Sequence, residues 1–165
     1  MLDSMILTLL TPTLLTATVM TGLTAGFLAA FAHTVMTGLA ATDDTTYVGA
    51  FQAIDKAVTN PWFLVPFTLG PVLVAAALLM LLSHRQWGAA LLVGVALALA
   101  VVTFVITGVV HLPLNSELQD VALGSSGLAE ARARFAERWI PWNVVRTVTS
   151  TGSFVALSVA LLRVR

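Results

Sequence analysis

Two histidines, an arginine and two asparagines stand inside, or at the ends of, stretches otherwise too apolar to welcome them. His33 interrupts a run from Ser4 to Thr42 that holds no Asp, Glu, Lys or Arg. His111 and Asn115 close a second such run, and Asn143 and Arg146 open a third. An imidazole exchanges a proton near neutral pH. A guanidinium and side-chain amides are donors suited to a negatively charged oxygen. An arginine at the start of a membrane span is costly unless it is paired, hydrated or able to reach the interface. A pocket lined by His33, His111, Asn115, Asn143 and Arg146 is the economical reading of all five.

Each of these residues also has a purely structural reading. His33 could hydrogen-bond a neighbouring helix carbonyl, and His111 could be an interfacial histidine beside a turn proline. Asn115 could cap the loop after Pro113. Arg146 could reach the interface or pair with Asp43, Asp44 or Asp55, and Trp139 and Trp142 could be interfacial anchors. What favours a shared site is that three separate segments aim polar stripes at one membrane level.

The elements that must position these residues follow from periodicity. Gly22, Gly26, Ala30, His33 and Thr37 recur at spacings of four and three, within about 80° of one helical face. Gly22 and Gly26 form a G-x-x-x-G pair of the kind that lets membrane helices approach closely. This stripe is therefore expected to pack inward and to carry His33 with it. Thr103, Thr107 and His111 stand at i, i+4 and i+8, and Asn143, Arg146, Thr147 and Ser150 share a face.

A bilayer core takes about 20 apolar residues, which predicts spans at about residues 12–39, 62–82, 87–110 and 143–162. Two shorter segments, 45–58 and 128–139, are too polar to cross. Tyr47, Phe51, Ile54 and Val58 line one face of the first, and Leu128, Ala131, Phe135 and Trp139 one face of the second. Both read as amphipathic helices lying in the interface. Asp43 or Asp44 can cap the first, and Pro141 is expected to separate the second from the last span. Pro113, Asn115 and Gly124–Gly127 predict a loop from His111 to Gly127.

The expected fold is all-α, a single transmembrane domain built as a four-helix bundle with two short amphipathic interfacial helices on one side. The Ser83–Gln86 turn and both termini fall on the other side. Arg85, Arg163 and Arg165 there nearly balance Lys56, Arg132, Arg134 and Arg138 opposite. The expected placement is a multi-pass protein of the cell membrane with both termini cytoplasmic. The small-residue stripe would also permit a homo-oligomer.

Composition agrees and excludes much. Of 165 residues, 58% are hydrophobic and 10% charged, against about a quarter charged in soluble domains, so the lipid bilayer is the expected partner. Net charge is zero, with no basic tract for nucleic acid. The absence of cysteine rules out disulfides, Fe–S clusters and thiol catalysis. No phosphate-binding glycine loop, dinucleotide fingerprint or nucleophile elbow is present. No H-x3-H or H-E-x-x-H pair signals a metal, so no cofactor is expected. Haem or a single metal ion held by His33 and His111 is the alternative that the residue types allow.

Several stretches together resemble one family. They are Gly26-Phe27, Phe31-Ala32-His33, Val35-Met36, Asp43-Asp44, Phe51-Gln52-Ala53-Ile54, Asn60-Pro61, Pro113-Leu114-Asn115, and Trp139 with Trp142-Asn143-x-x-Arg146. Over nearly the whole chain they are similar to the anthrone oxygenase-like family of small four-span membrane proteins. The resemblance implies oxidation of an anthrone to an anthraquinone without metal or flavin. Asn115 matches the family's Pro-x-Asn element, and Asn143 and Arg146 match its Trp-Asn-x-x-Arg element; His111 departs from the usual pattern. An anthrone has an acidic C–H, and the enolate left after its loss can react with O2. On this reading His33 or His111 is the base, and Arg146 with Asn143 or Asn115 holds the oxyanion. Trp142, Trp139, Thr107, Phe51 and Gln52 would line an apolar small-molecule substrate. The rival is a non-enzymatic bundle that binds a lipid, quinone, haem or partner protein.

Overall fold

Lipid offers no partner to a backbone N–H or C=O, so apolar runs of this length must be helical. The computed structural model describes residues 2–164, with side chains from Thr8 to Val164. It is all-helical, with four helices long and apolar enough to cross a membrane: Thr8–Ala40, Pro61–Ser83, Trp87–Gln119 and Leu128–Leu161. This is the architecture of a multi-pass membrane protein. In chain order the α-helices are α1 (Leu2–Ala30), α2 (Met36–Ala40), α3 (Asp44–Val58), α4 (Pro61–Ser83), α5 (Trp87–Ile106), α6 (Leu112–Gln119) and α7 (Leu128–Leu161). A π-turn, Phe31–Val35, joins α1 to α2, and a second, Thr107–His111, joins α5 to α6.

The spans differ in length, and the difference builds the site. The second has 23 residues, about 35 Å at 1.5 Å per residue, close to the thickness of a bilayer core. Trp62 and Trp87, at its start and just beyond its end, are 91% and 64% exposed, as interfacial aromatics are. The first and third spans have 33 residues and the fourth 34, so each overshoots by several turns. The overshoot lies on the side away from the Ser83–Gln86 turn, where α3 packs across it.

Two apolar cores result. One, near the turn, contains Leu10, Leu14, Val74, Leu81, Val93 and Leu157. The other joins α3 to the protruding ends through Tyr47, Val48, Phe51, Leu114, Phe135 and Trp139. Between them lie buried polar residues: Thr18, Thr21, Thr24, Thr103, Asn143, Arg146, Ser150 and Ser153. The α1 threonines satisfy themselves on carbonyls one turn back. The Thr103 and Thr149 hydroxyls meet across α5 and α7 at 2.7 Å, and Ser153 donates to the Ala96 carbonyl at 2.8 Å.

Local chemistry sets the helix ends. The Asp43 carboxylate caps α3, accepting from the Thr46 amide at 3.0 Å and its hydroxyl at 2.6 Å. These bonds, the hydroxyl's above all, hold its carboxyl below the ordinary value of 3.8. Asn60 caps α4 in the same way through the amides of Trp62 and Phe63. Arg132 clamps the end of the first span. It donates to the carbonyls of Ala40 at 3.0 Å and Thr42 at 2.9 Å, pairs with Asp44 at 2.8 Å and lies 4.4 Å from the Tyr47 ring centre.

Three expectations need correction. The loop foreseen from His111 is helical as far as Gln119. The π-turn, in which the Leu112 amide reaches back to the Thr107 carbonyl, widens the backbone just ahead of Pro113. Proline, lacking an N–H, needs no bond there. Pro141 does not separate an amphipathic helix from the last span, because α7 runs unbroken from Leu128 to Leu161. Pro141 sits on the exposed face, so its ring points away from the packed side. The foreseen faces survive this change: Leu128, Ala131, Phe135 and Trp139 are all buried.

The third correction concerns the first span. Its inward face is Leu14, Ala17, Thr21, Thr24, Leu28 and Phe31, not the glycine stripe. Gly22 does sit tight, since a Cβ there would come within 2.9 Å of the Phe154 ring, but Gly26 faces open space. Arg165, counted above for orientation, lies outside the described residues.

Replacing Arg132 by Ala removes three hydrogen bonds and the ring contact, a loss of about 2 kcal/mol. Amide hydrogen exchange in α3 should quicken roughly thirtyfold in the variant; unchanged protection would show that the clamp holds nothing.

Candidate functional site

A cavity of about 230 Å³ opens between the two cores. Its lining is dominated by rings: Phe27 and Phe31 of the first span, Phe51 of α3, Phe63 and Phe67 of α4, and Phe104 and Trp139 beyond. The rings brace one another. Phe27 lies 4.5 Å from Phe63, Phe63 stacks on Phe67 at 5.3 Å, and Phe67 stacks on Phe104 at 5.2 Å. Such a box suits a flat aromatic molecule.

The polar groups converge on one wall. Arg146 is 6% exposed. One terminal nitrogen donates to the Thr107 hydroxyl at 3.1 Å and the other to the Asn143 side-chain oxygen at 2.8 Å. The guanidinium carbon lies 5.6 Å from the Trp139 ring centre. Asn143 is itself fixed, donating to the Leu28 carbonyl at 3.3 Å. Among the described residues no carboxylate pairs with Arg146; the ion pairs are Arg132–Asp44 and Arg134–Glu130. Its Nε has no partner.

His111 stands beside it on the π-turn. The ring is 1% exposed and meets Trp139 edge-on at 5.0 Å. Nδ1 lies 3.4 Å from the Ile106 carbonyl, while Nε2 has no partner. In the tautomer with Nδ1–H toward that carbonyl Nε2 keeps its lone pair; the Trp139 backbone is the ring's other polar neighbour. The wall thus offers a cation with an unused donor and an imidazole nitrogen with no bond.

A third chain of bonds orients Trp139. Its indole N–H donates to the Asn115 side-chain oxygen at 2.9 Å, and the Asn115 amide donates to Asp55 at 2.6 Å. Gln119 completes the carboxylate's partners at 3.0 Å. Asn115 thereby spends its oxygen and one N–H on structure. Asp55 also lines the cavity and is the only acidic residue that does so among the described residues.

Of the residues singled out from sequence, the cavity lining unites His111, Asn115, Arg146, Trp139, Thr107 and Phe51. Asn143 is fully buried one hydrogen bond behind Arg146, a positioning place. His33 is not brought in. It is exposed on the outer face of the π-turn, with Nδ1 2.7 Å from the Thr34 hydroxyl, because the stripe that carries it is not the buried one. His33 and His111 therefore do not share the cavity. Trp142 is 44% exposed and turned outward. Gln52 ties α3 to the carbonyls of Leu118 at 2.8 Å and Val121 at 3.0 Å and does not line the cavity. From sequence Asp55 is only a possible partner of Arg146, not a holder of Asn115 and Gln119, and the phenylalanine box does not stand out. Phe27 with Phe31 and Phe63 with Phe67, each at i, i+4, carried a signal that lipid-facing phenylalanines would give equally.

A buried cation without a counter-charge costs stability that a hydrocarbon would not. Arg146→Met is expected to leave the bundle folded and to raise its thermal midpoint in detergent by a few degrees. A lower midpoint would make the guanidinium structural glue.

Comparison with known proteins bears on the same region. The family model described as anthrone oxygenase matches residues 61–156. That stretch includes α4, the third span and α7 as far as Ala156, and so Thr107, His111, Asn115, Trp139 and Arg146. No curated protein and no solved structure matches the chain. The chain belongs to the anthrone oxygenase family.

Proposed function

We propose that this member of the anthrone oxygenase family is a cofactor-independent oxygenase for an anthrone-like aromatic substrate, acting in the cavity between its two cores. The single observation that carries the reading is Arg146, a buried guanidinium with no carboxylate partner and a free Nε, beside the unbonded Nε2 of His111 in a box of aromatic rings. A site organised only for packing has no use for an unneutralised cation.

The chemistry begins with the weakly acidic C–H opposite the anthrone carbonyl. His111 Nε2 removes the proton, and the electron pair delocalises onto the carbonyl oxygen as an enolate. Arg146 meets the growing negative charge through its free donor, with Thr107 and Asn143 keeping the guanidinium in place so that little reorganisation is needed. The electron-rich ring carbon reduces O2 and bonds to it, and the peroxide anion takes the proton back from His111 as a hydroperoxide. Loss of the remaining C–H from that carbon, with O–O cleavage, yields the second carbonyl and water. One oxygen atom of O2 stays in the quinone and the other leaves as water. The ring-lined, largely apolar cavity strengthens the attraction between Arg146 and the enolate and holds the plane of the substrate.

Orientation follows the basic residues of short segments: with Arg85 and Arg163 cytoplasmic, the α3 side and the cavity lie toward the opposite face of the cell membrane.

Purified protein in proteoliposomes, supplied with an anthrone and air, should form anthraquinone faster than protein-free liposomes, with water as co-product. His111→Ala should lower the rate about 10²- to 10⁴-fold, and Arg146→Met about 10²- to 10³-fold, in folded protein. Full activity in either variant would refute the assignment of that residue, and no acceleration by the parent protein would refute the reaction.

A further inference from the structure

The cavity is walled by helices except at the Thr59 corner and along one lateral side. The first and fourth spans form its back through Leu28 and Arg146, α3 roofs it with Phe51, and the Phe67–Phe104 stack is its floor. The remaining rim is Leu64, Thr68 and Leu112 with the edge of Phe104. Leu64 is 41% exposed, Phe104 48% and Leu112 61%, and Thr68 is exposed as well. The cause is a divergence of two neighbours. α4 packs along α5, but beyond the π-turn α6 leans on α3 and α7 instead, leaving a gap between the second and third spans.

The level of this gap decides what can use it. Leu64 and Thr68 lie three and seven residues inside the start of α4, about 4.5 and 10 Å along its axis. The exposed Trp62 marks that start. The mouth therefore opens into the outer hydrocarbon, just under the headgroups, where planar amphipathic rings collect. Toward water the buried Phe51 of α3 covers the cavity, and the lining ends at the half-buried Asp55 and Val58 and the exposed Thr59.

We propose that the gap between the second and third spans is the mouth of the cavity and that it admits neutral planar aromatic molecules dissolved in the bilayer, not solutes from water. The proposal rests on the cavity being a site for a ring compound and adds the route by which one arrives. Leu64, Thr68 and Leu112 select against charged molecules by facing lipid, and the parallel Phe67 and Phe104 rings select for flat ones.

The test needs no turnover. Trp62→Phe, Trp87→Phe and Trp142→Phe together leave Trp139, 3% exposed, as the only indole. In liposomes its emission should be quenched by bromobenzene, which partitions into lipid, and not by acrylamide in the buffer. Because the chain has no cysteine, Thr68→Cys or Leu112→Cys can then be alkylated with a bulky maleimide, the unmodified protein serving as its own folding control. Modification at either position should cut bromobenzene quenching at least fivefold, while the same adduct at Leu79→Cys, also exposed on α4 but away from the mouth, should not. Quenching by acrylamide, bromobenzene quenching indifferent to both mouth adducts, or no quenching by either reagent would overturn the proposal. Bromobenzene has no ionisable oxygen and is not oxidised, so a failed oxygenase assay leaves this result standing, and a failed quenching result leaves the oxygenase assay to be judged alone.

Discussion

A guanidinium buried inside a membrane bundle must have its charge and its donors answered by something. Moving such an ion out of water costs several kcal/mol even after the protein relaxes around it. In this chain the answer is incomplete. Thr107 and Asn143 accept from the two terminal nitrogens and the Trp139 ring lies nearby, yet these partners are neutral and Nε is left over. The rest of the fold can be understood as what makes that arrangement tolerable. A tight apolar core near the turn and a second one under α3 supply the packing that outweighs a polar layer between them.

The same division separates roles. α3 and Arg132 of α7 tie the overshooting ends of three spans into one body: Gln52 holds the α6 end, Arg132 joins the Ala40 carbonyl to Asp44 of α3, and Phe51 packs against Phe135 and Trp139. That body roofs the cavity and fixes Trp139 through Asn115 and Asp55. The second span takes no part in it, being too short to overshoot. One helix that stops at the membrane surface beside three that continue leaves a side opening at the level of the polar wall. The π-turn at Thr107–His111 has a double consequence there: it brings His111 onto the wall and starts the stretch of helix that departs from α4.

Much of this was legible in the residues. Four spans, a cap at Asp43 or Asp44, the apolar faces of 45–58 and 128–139, and the convergence of Thr107, His111 and Arg146 all follow from periodicity, capping chemistry and the cost of polar groups in lipid. What was not legible has physical reasons. A small-residue stripe marks where helices can approach but not which face is used, so the placing of His33 failed. Prolines at 113 and 141 have the chemistry of helix breakers, yet the first is absorbed behind a π-turn and the second with its ring on the exposed face. Asp55 looks like any carboxylate on the polar side of an amphipathic helix until Asn115 and Gln119 are folded onto it. Phenylalanines facing lipid and phenylalanines facing a cavity have the same composition and spacing.

The central claim is electrostatic: the Arg146 charge is held available for an oxygen anion on a flat ring. The most direct measurement uses 2-hydroxyanthraquinone, whose phenol and phenolate forms absorb at different wavelengths, titrated in liposomes carrying the protein or its Arg146→Met variant. An available guanidinium stabilises the bound phenolate, so the ionisation midpoint should fall at least about one pH unit below that in the variant, equivalent to about 1.4 kcal/mol. Identical midpoints in the two preparations would contradict the claim.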